Sequence, residues 1–188
     1  MGGVVVLVFI VLLVVLVFVV IGMYNRLVRL RNLAEQAWAD VDVQLTRRHD
    51  LIGNLVETVK GYASHEKETL ENVIQARAAA TSAQGPAEQA QAEGFLTQAL
   101  RGLLAVAEAY PELKADANFR ELQRELTATE DRIAQSRNAY NAMVREYDTA
   151  RETFPTNIIA GMFNFEEREY FEADDPESRE VPEVDFSD

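Results

Sequence analysis

Twenty consecutive residues, Val4 to Met23, carry no charged or strongly polar side chain, and Val, Leu, Ile and Phe fill nearly all of them. No other stretch narrows the folding options as much. As a helix the run rises about 30 Å, the thickness of a bilayer's hydrocarbon core. A helix that is apolar on every face needs either a protein core or lipid around it. The core reading calls for polar punctuation or caps, and the run has none. A cleavable signal peptide combines a basic leading region, a shorter apolar core and a small-residue cleavage site. This chain opens Met-Gly-Gly-Val with no early Lys or Arg, and the run ends Gly22-Met23-Tyr24-Asn25-Arg26. The N-myristoylation pattern fails at Val6, where Ser or Thr is required. The run is therefore expected to cross the lipid bilayer as a single helix.

Tyr24, Arg26, Arg29 and Arg31 flank the end of the run, and only the terminal amine precedes it. The positive-inside rule places the remainder of such a chain on the cytoplasmic side. The same arginines lie on a continuing helix and have structural roles open to them, so an extracytoplasmic placement stays open. No linker separates the run from the helical residues after it.

Charge divides the chain further. The net charge is -13, yet residues 166–188 hold eleven acids against two arginines, which leaves only -4 for the other 165 residues. A nearly balanced body argues against nucleic acid, whose phosphates call for a net basic face. There is no cysteine, which excludes disulfides and thiolate metal sites.

Between Tyr24 and Thr81 there is no proline, and Val41, Leu45, Ile52, Leu55, Val59, Tyr62, Leu70 and Val73 recur in near-alternating steps of four and three. Arg48 and Glu66 fall in phase with this stripe, where charges set register or partner choice. Gly85-Pro86 ends that helix and opens the next. Leu96, Ala99, Leu103 and Val106 mark a second face. Tyr110-Pro111-Glu112-Leu113-Lys114 is the next connection, and Asp116 or Asn118 can cap a third helix. Its stripe runs Phe119, Leu122, Leu126, Thr129, Ile133, Ser136, Tyr140, Met143, Tyr147, Ala150, Phe154, the spacing of helices packed at small crossing angles. The expected fold is all-α: a transmembrane helix over 4–23 continuing into an extended antiparallel three- to four-helix coiled bundle over 24–154. The helices are expected at about 24–81, 86–109 and 117–153. Residues 155–172 make a short apolar C-terminal module, and 173–188 an acidic tail poor in apolar residues, expected to be disordered.

The module poses its own question. Ile158, Ile159, Met162, Phe163 and Phe165 are too apolar for a free tail. Burial at the end of the bundle is one reading; a docking patch for a partner or a membrane surface is the other. The acids Glu166, Glu167 and Glu169 weigh against anionic lipid. An unbroken first helix would leave this module far from the bilayer, whereas a bend at Gly53 or Gly61 would bring it back.

The residues offer little for catalysis. His65-Glu66 lacks the second histidine of H-E-x-x-H, because Thr69 stands there. Glu57, Glu66, Glu68 and Glu71 are not joined by any E-x-x-H of the di-iron kind. No G-x-S-x-G and no phosphate-binding glycine loop occurs. The expectation is a protein that is not an enzyme, with no catalytic, cofactor or metal site. Tyr62, Tyr140 and Tyr147 are read as packed, with their hydroxyls paired.

Several longer strings resemble the LemA family of bacterial membrane proteins. They are Arg47-Arg48-His49-Asp50-Leu51-Ile52-Gly53-Asn54-Leu55-Val56-Glu57-Thr58-Val59-Lys60-Gly61-Tyr62-Ala63-Ser64-His65-Glu66, Tyr110–Ala115, Phe119–Gln123, Tyr140-Asn141 and Phe154–Ala160. The resemblance runs from about Val4 to Phe171 and departs at Gly53, where the family typically has proline, at Asp148, often asparagine, and at Asn164, often glycine. It implies a helical bundle on an N-terminal anchor in the bacterial cytoplasmic (inner) membrane. It also implies a family without an established activity, with one relative associated with magnetosome membranes and others discussed alongside membrane metalloproteases. Residues and resemblance together lead to a homo-oligomeric scaffold that organises or remodels membrane. The alternative is an adaptor or sensor that recruits a membrane protease or other membrane protein.

Overall fold

The computed structural model describes residues 1–172; the expected disordered tail, 173–188, lies outside the described residues. Among the described residues six helices run in order, with no strand: α1 (Gly2–Tyr62), α2 (Lys67–Ser82), α3 (Gly85–Glu108), α4 (Pro111–Ala115), α5 (Ala117–Glu152) and α6 (Thr156–Met162). They fall into two compact units. One comprises Met1–Asp42 with Gln135–Glu169, the other Val43–Ala134 with the described residues from Tyr170 onward.

The start of α1 has no counterpart among the other described residues. Every side chain from Val4 to Val19 is at least 45% exposed, although this is the most apolar part of the chain. Apolar surface on all sides with no protein against it is what a lipid-embedded helix presents, and α1 carries the one candidate membrane span among the described residues.

In the second unit the core joins Ile52, Leu55, Val59 and Ala63 to Leu70 and Val73, then to Leu96, Leu103, Leu113 and Phe119. A helix over 24–81 does not form. The α-helix stops at Tyr62 and restarts at Lys67, after Gly61, which costs roughly 1 kcal/mol relative to alanine inside a helix. The chain then doubles back. Arg77 Nε donates to the His49 carbonyl at 2.6 Å, and a Cβ at Gly53 would lie 3.3 Å from the Arg77 guanidinium carbon. Folding back lets Val59 and Leu70 face one core from two antiparallel helices. The apolar phase therefore survives the four-residue turn, and the stripe alone reads as one helix. At Gly53 itself α1 continues unbroken; the reversal comes just past Gly61.

The remaining boundaries fall within a residue of 86–109 and 117–153. The connection at Tyr110–Lys114 forms one helical turn, opened by Pro111 and burying Leu113 completely. Asp116 caps α5: its Oδ1 accepts from the Phe119 N–H at 2.9 Å, which satisfies one of the free donors of the first turn. That bond is the chief reason its carboxyl sits below the ordinary range.

The first unit has a smaller core, built from Leu27 and Leu30 of α1, Tyr147 and Ala150 of α5, and Ile159, Ala160 and Phe165. Val20 and Met23, at the end of the apolar run, pack against it. The C-terminal module thus sits beside the exit of the candidate span and not at a distance from it.

Candidate functional site

Two groups of residues stand out, one in each unit. In the second unit a buried charge cluster is centred on Arg48, which is 3% exposed. Its Nη1 donates to Glu93 Oε2, and its Nη2 donates to Thr97 Oγ1 at 2.8 Å. Its Nε lies 2.8 Å from Glu130 Oε1, poorly aligned for a hydrogen bond but close enough for charge attraction. His49 Nε2 meets Glu93 Oε1 at 2.6 Å. Gln89 Nε2 donates both to Glu93 Oε1 at 2.9 Å and to the Ala80 carbonyl at 3.0 Å, and Ala80 is among the last residues of α2, whose carbonyls lack helical donors.

The energetics of the cluster turn on Glu93. Burial alone would push its carboxyl up, but the His49 hydrogen bond and the Arg48 charge outweigh burial and hold it below the ordinary value. Glu93 therefore remains a carboxylate inside the bundle, with Arg48, His49 and Gln89 around it. A buried charge is tolerated on these terms only when its partners are in place. Arg48 thus joins α1 to α3 and α5 within this unit. Glu66, the other charge in phase with the sequence stripe, lies in the turn between α1 and α2, where it accepts from Tyr110 Oη at 3.2 Å.

The partners of Arg48 are what the sequence reading missed. A signal was present: stepping back from Leu96 by three and then four lands on Glu93 and Gln89, so polar residues occupy the first two positions of the α3 stripe. Nothing in the cluster resembles a reaction centre. It holds no paired nucleophile and base, and among the described residues no group of three or more His, Asp or Glu could hold a metal ion. A broad open depression lined by Leu104, Arg120, Arg124, Thr127 and Asp131 lies elsewhere on this unit and shares no residue with the cluster.

In the first unit the structure divides the five residues of the expected patch. Ile159 and Phe165 are buried at 6% and 7%, whereas Ile158, Met162 and Phe163 are exposed, as is Phe154. Phe154 drops out of the α5 stripe because the helix ends at Glu152. The module is held at several points. The Tyr24 ring meets Phe163 and Phe165 edge-on at 4.9 and 5.6 Å, and Arg31 lies 5.6 Å over the Phe165 ring. Tyr147 Oη donates to the Glu166 carbonyl at 2.8 Å and Tyr140 Oη to the Glu169 carbonyl at 2.6 Å. Burial pushes the Tyr140 hydroxyl up to about 12. Arg168 pairs with Glu35, and Arg151 lies 3.5 Å from Glu167. Two of the expected flank residues, Tyr24 and Arg31, are thus part of this packing; Arg26 and Arg29 are exposed.

The end of α6 explains one departure from the family pattern. Asn164 has φ of 51°, and the Phe165 N–H donates to the Ala160 carbonyl at 3.0 Å. This is the Schellman helix stop, with a left-handed residue at the first position past the cap and an apolar contact across it. Glycine adopts that conformation without penalty and asparagine does so with little.

Comparison with known proteins gives the chain a family and relatives. The model of the LemA family matches residues 37–186. Magnetosome protein MamQ 2 of Paramagnetospirillum magneticum is 27% identical over 175 residues, covering 79% of this chain and 64% of that protein. Magnetosome protein MamQ of Magnetospirillum gryphiswaldense is 26% identical over 174 residues, with the same coverage. Protein LemA of Metamycoplasma hominis is 26% identical over 165 residues, covering 87% of this chain and 75% of that protein. The chain thus spans about 64% of the length of the magnetosome relatives it matches.

Proposed function

Because the chain belongs to the LemA family, we propose that it is a membrane-anchored, self-associating scaffold that organises or remodels the bacterial membrane, without catalysis of its own. The observation that carries this reading is the start of α1, apolar on all sides and uncovered by the other described residues. Water is a poor solvent for such a surface; at about 25 cal/mol per Å² of apolar area, a bilayer is the environment that stabilises it. The naming of two relatives for the magnetosome, and their similarity over most of this chain, supports a role in organising membrane. The three-and-four stripes are buried within the chain itself, and the exposed Val43, Ile74 and Phe95 leave apolar surface for association with further copies. Arg26, Arg29 and Arg31 favour a bundle on the cytoplasmic side of the inner membrane. Single cysteines introduced into this cysteine-free chain, probed with impermeant reagents on intact cells, test that side.

Self-association is tested by light scattering on the full-length protein in detergent and in native membrane extracts. The expected result is a mass of two or more chains in both. A monomer in both contradicts the scaffold reading.

A further inference from the structure

We propose that the C-terminal module, with Phe154 just before it, is a membrane-surface element: Phe154, Ile158, Met162 and Phe163 seat in the headgroup–acyl boundary of the same bilayer that α1 crosses. This rests on the anchoring role proposed for Val4–Met23 and adds a second membrane contact, distant in sequence.

Position carries the argument. If Val4–Met23 spans the hydrocarbon, Met23 marks its edge. The module is packed onto that edge, since Val20, Met23 and Leu27 share a core with Ile159 and Phe165. Phe154 and Pro155 also line a groove with Val19, Gly22 and Met23. Val19 precedes Met23 by four residues, about 6 Å along the helix axis. Helices lying at an interface bury their apolar face by about 5–10 Å, so the groove lies at that depth. What the module leaves uncovered fits the location. Phe154 is 75% exposed and Met162 71%, with Ile158 and Phe163 at 52% each, while Thr156, Ile159 and Ala160 turn inward. Four large apolar side chains on this short module and just before it, uncovered among the described residues, would be costly in water, and here they flank the place where the span leaves the bilayer. Of the neighbouring acids, Glu167 lies 3.5 Å from Arg151, which offsets its charge. The aromatic contacts of Tyr24 with Phe163 and Phe165 put rings at the interface, where aromatic residues concentrate.

The test uses nitroxide labels on single cysteines in the full-length protein, reconstituted in nanodiscs of phosphatidylcholine alone and with phosphatidylglycerol. Phe154→Cys and Met162→Cys report the module, Leu12→Cys the span, and the exposed Glu57→Cys of the second unit the aqueous phase. Each label's collision rates with oxygen, which favours lipid, and with a water-soluble nickel chelate give its depth. The expected result is a module depth between those of Leu12→Cys and Glu57→Cys, with the nickel collision rate several-fold below that at Glu57→Cys. In the module-label background, Ile158→Asp should move the label toward water with helical content unchanged. Module labels matching Glu57→Cys while Leu12→Cys reads as hydrocarbon overturn this proposal alone. Module labels shielded from both reagents show a protein partner or second copy on the patch, and overturn it as well. An aqueous Leu12→Cys label overturns the anchoring reading, and this proposal with it.

Discussion

Replacing Glu93 with glutamine removes one charge from the interior of the second unit and leaves the shape of the side chain unchanged. Arg48, 3% exposed, then keeps its Thr97 hydrogen bond and the Glu130 contact, but Glu130 is 42% exposed and its charge is screened by water. Breaking a buried pair from one side costs about 3–5 kcal/mol when nothing compensates. With Glu130 compensating in part, Glu93→Gln is expected to cost roughly 2–3 kcal/mol by the same reasoning. For a chain of this size that lowers Tm by about 5–10 °C, read by circular dichroism of the full-length protein in detergent. Arg124→Ala is the contrast. It breaks the Arg124–Glu121 pair, whose side chains are 76% and 54% exposed, and should change stability by less than about 0.5 kcal/mol. A cycle with Arg48→Met should show a coupling above about 1 kcal/mol. The effect also depends on pH. The Glu93 carboxyl is held below its ordinary 4.5, so its contribution is present above that value and lost as pH falls through the lower, folded value. The gap between wild type and Glu93→Gln should narrow in acid. A Glu93→Gln protein as stable as Arg124→Ala at pH 7 would refute the account of the cluster.

Three further outcomes are expected from single substitutions, each followed by thermal denaturation. At the left-handed stop of α6, Asn164→Gly should hold or raise stability, and Asn164→Val should lower it by about 1–2 kcal/mol; equal stability of the two would contradict the cap. Burial raises the Asp148 carboxyl above its ordinary 3.8, against the Arg168 backbone bond and the Arg151 charge. The stability linked to it is therefore present below 3.8 and lost as pH rises through the folded value, so Asp148→Asn should gain on wild type from pH 3 to pH 7. A gap that does not move with pH would count against this. Tyr140, pushed up to about 12 from 10 by burial, stabilises the first unit below pH 10 and should stop doing so as pH rises to about 12. Tyr140→Phe should cost about 1 kcal/mol at pH 7 for the lost bond to the Glu169 carbonyl and flatten the alkaline decline.

Local patterns carried most of the helical reading. The apolar run at Val4–Met23 and the boundaries of α3 and α5 arise from composition, Gly85-Pro86 and the Asp116 cap, all interactions between near neighbours. The reversal after Tyr62 was not legible because Val59 and Leu70 face one core from either arm, which preserves the phase of the stripe through the turn. Arg48 was legible as a charge among apolar neighbours. Its partner Glu93 was not, because periodicity places a residue on a face without saying which other helix that face meets. The module shows the same limit. Ile158 and Ile159 are equally apolar in sequence, and only the contacts of Leu27, Leu30 and Tyr147 decide that Ile159 is core and Ile158 surface.

In the proposed function this chain crosses a bilayer through Val4–Met23 and works as an assembly of copies. Cryo-electron microscopy of the full-length protein in lipid nanodiscs tests both parts in one measurement. Two or more chains in contact are expected, each with Val4–Met23 across the lipid. A single isolated chain, or a Val4–Met23 helix enclosed by protein away from lipid, contradicts it.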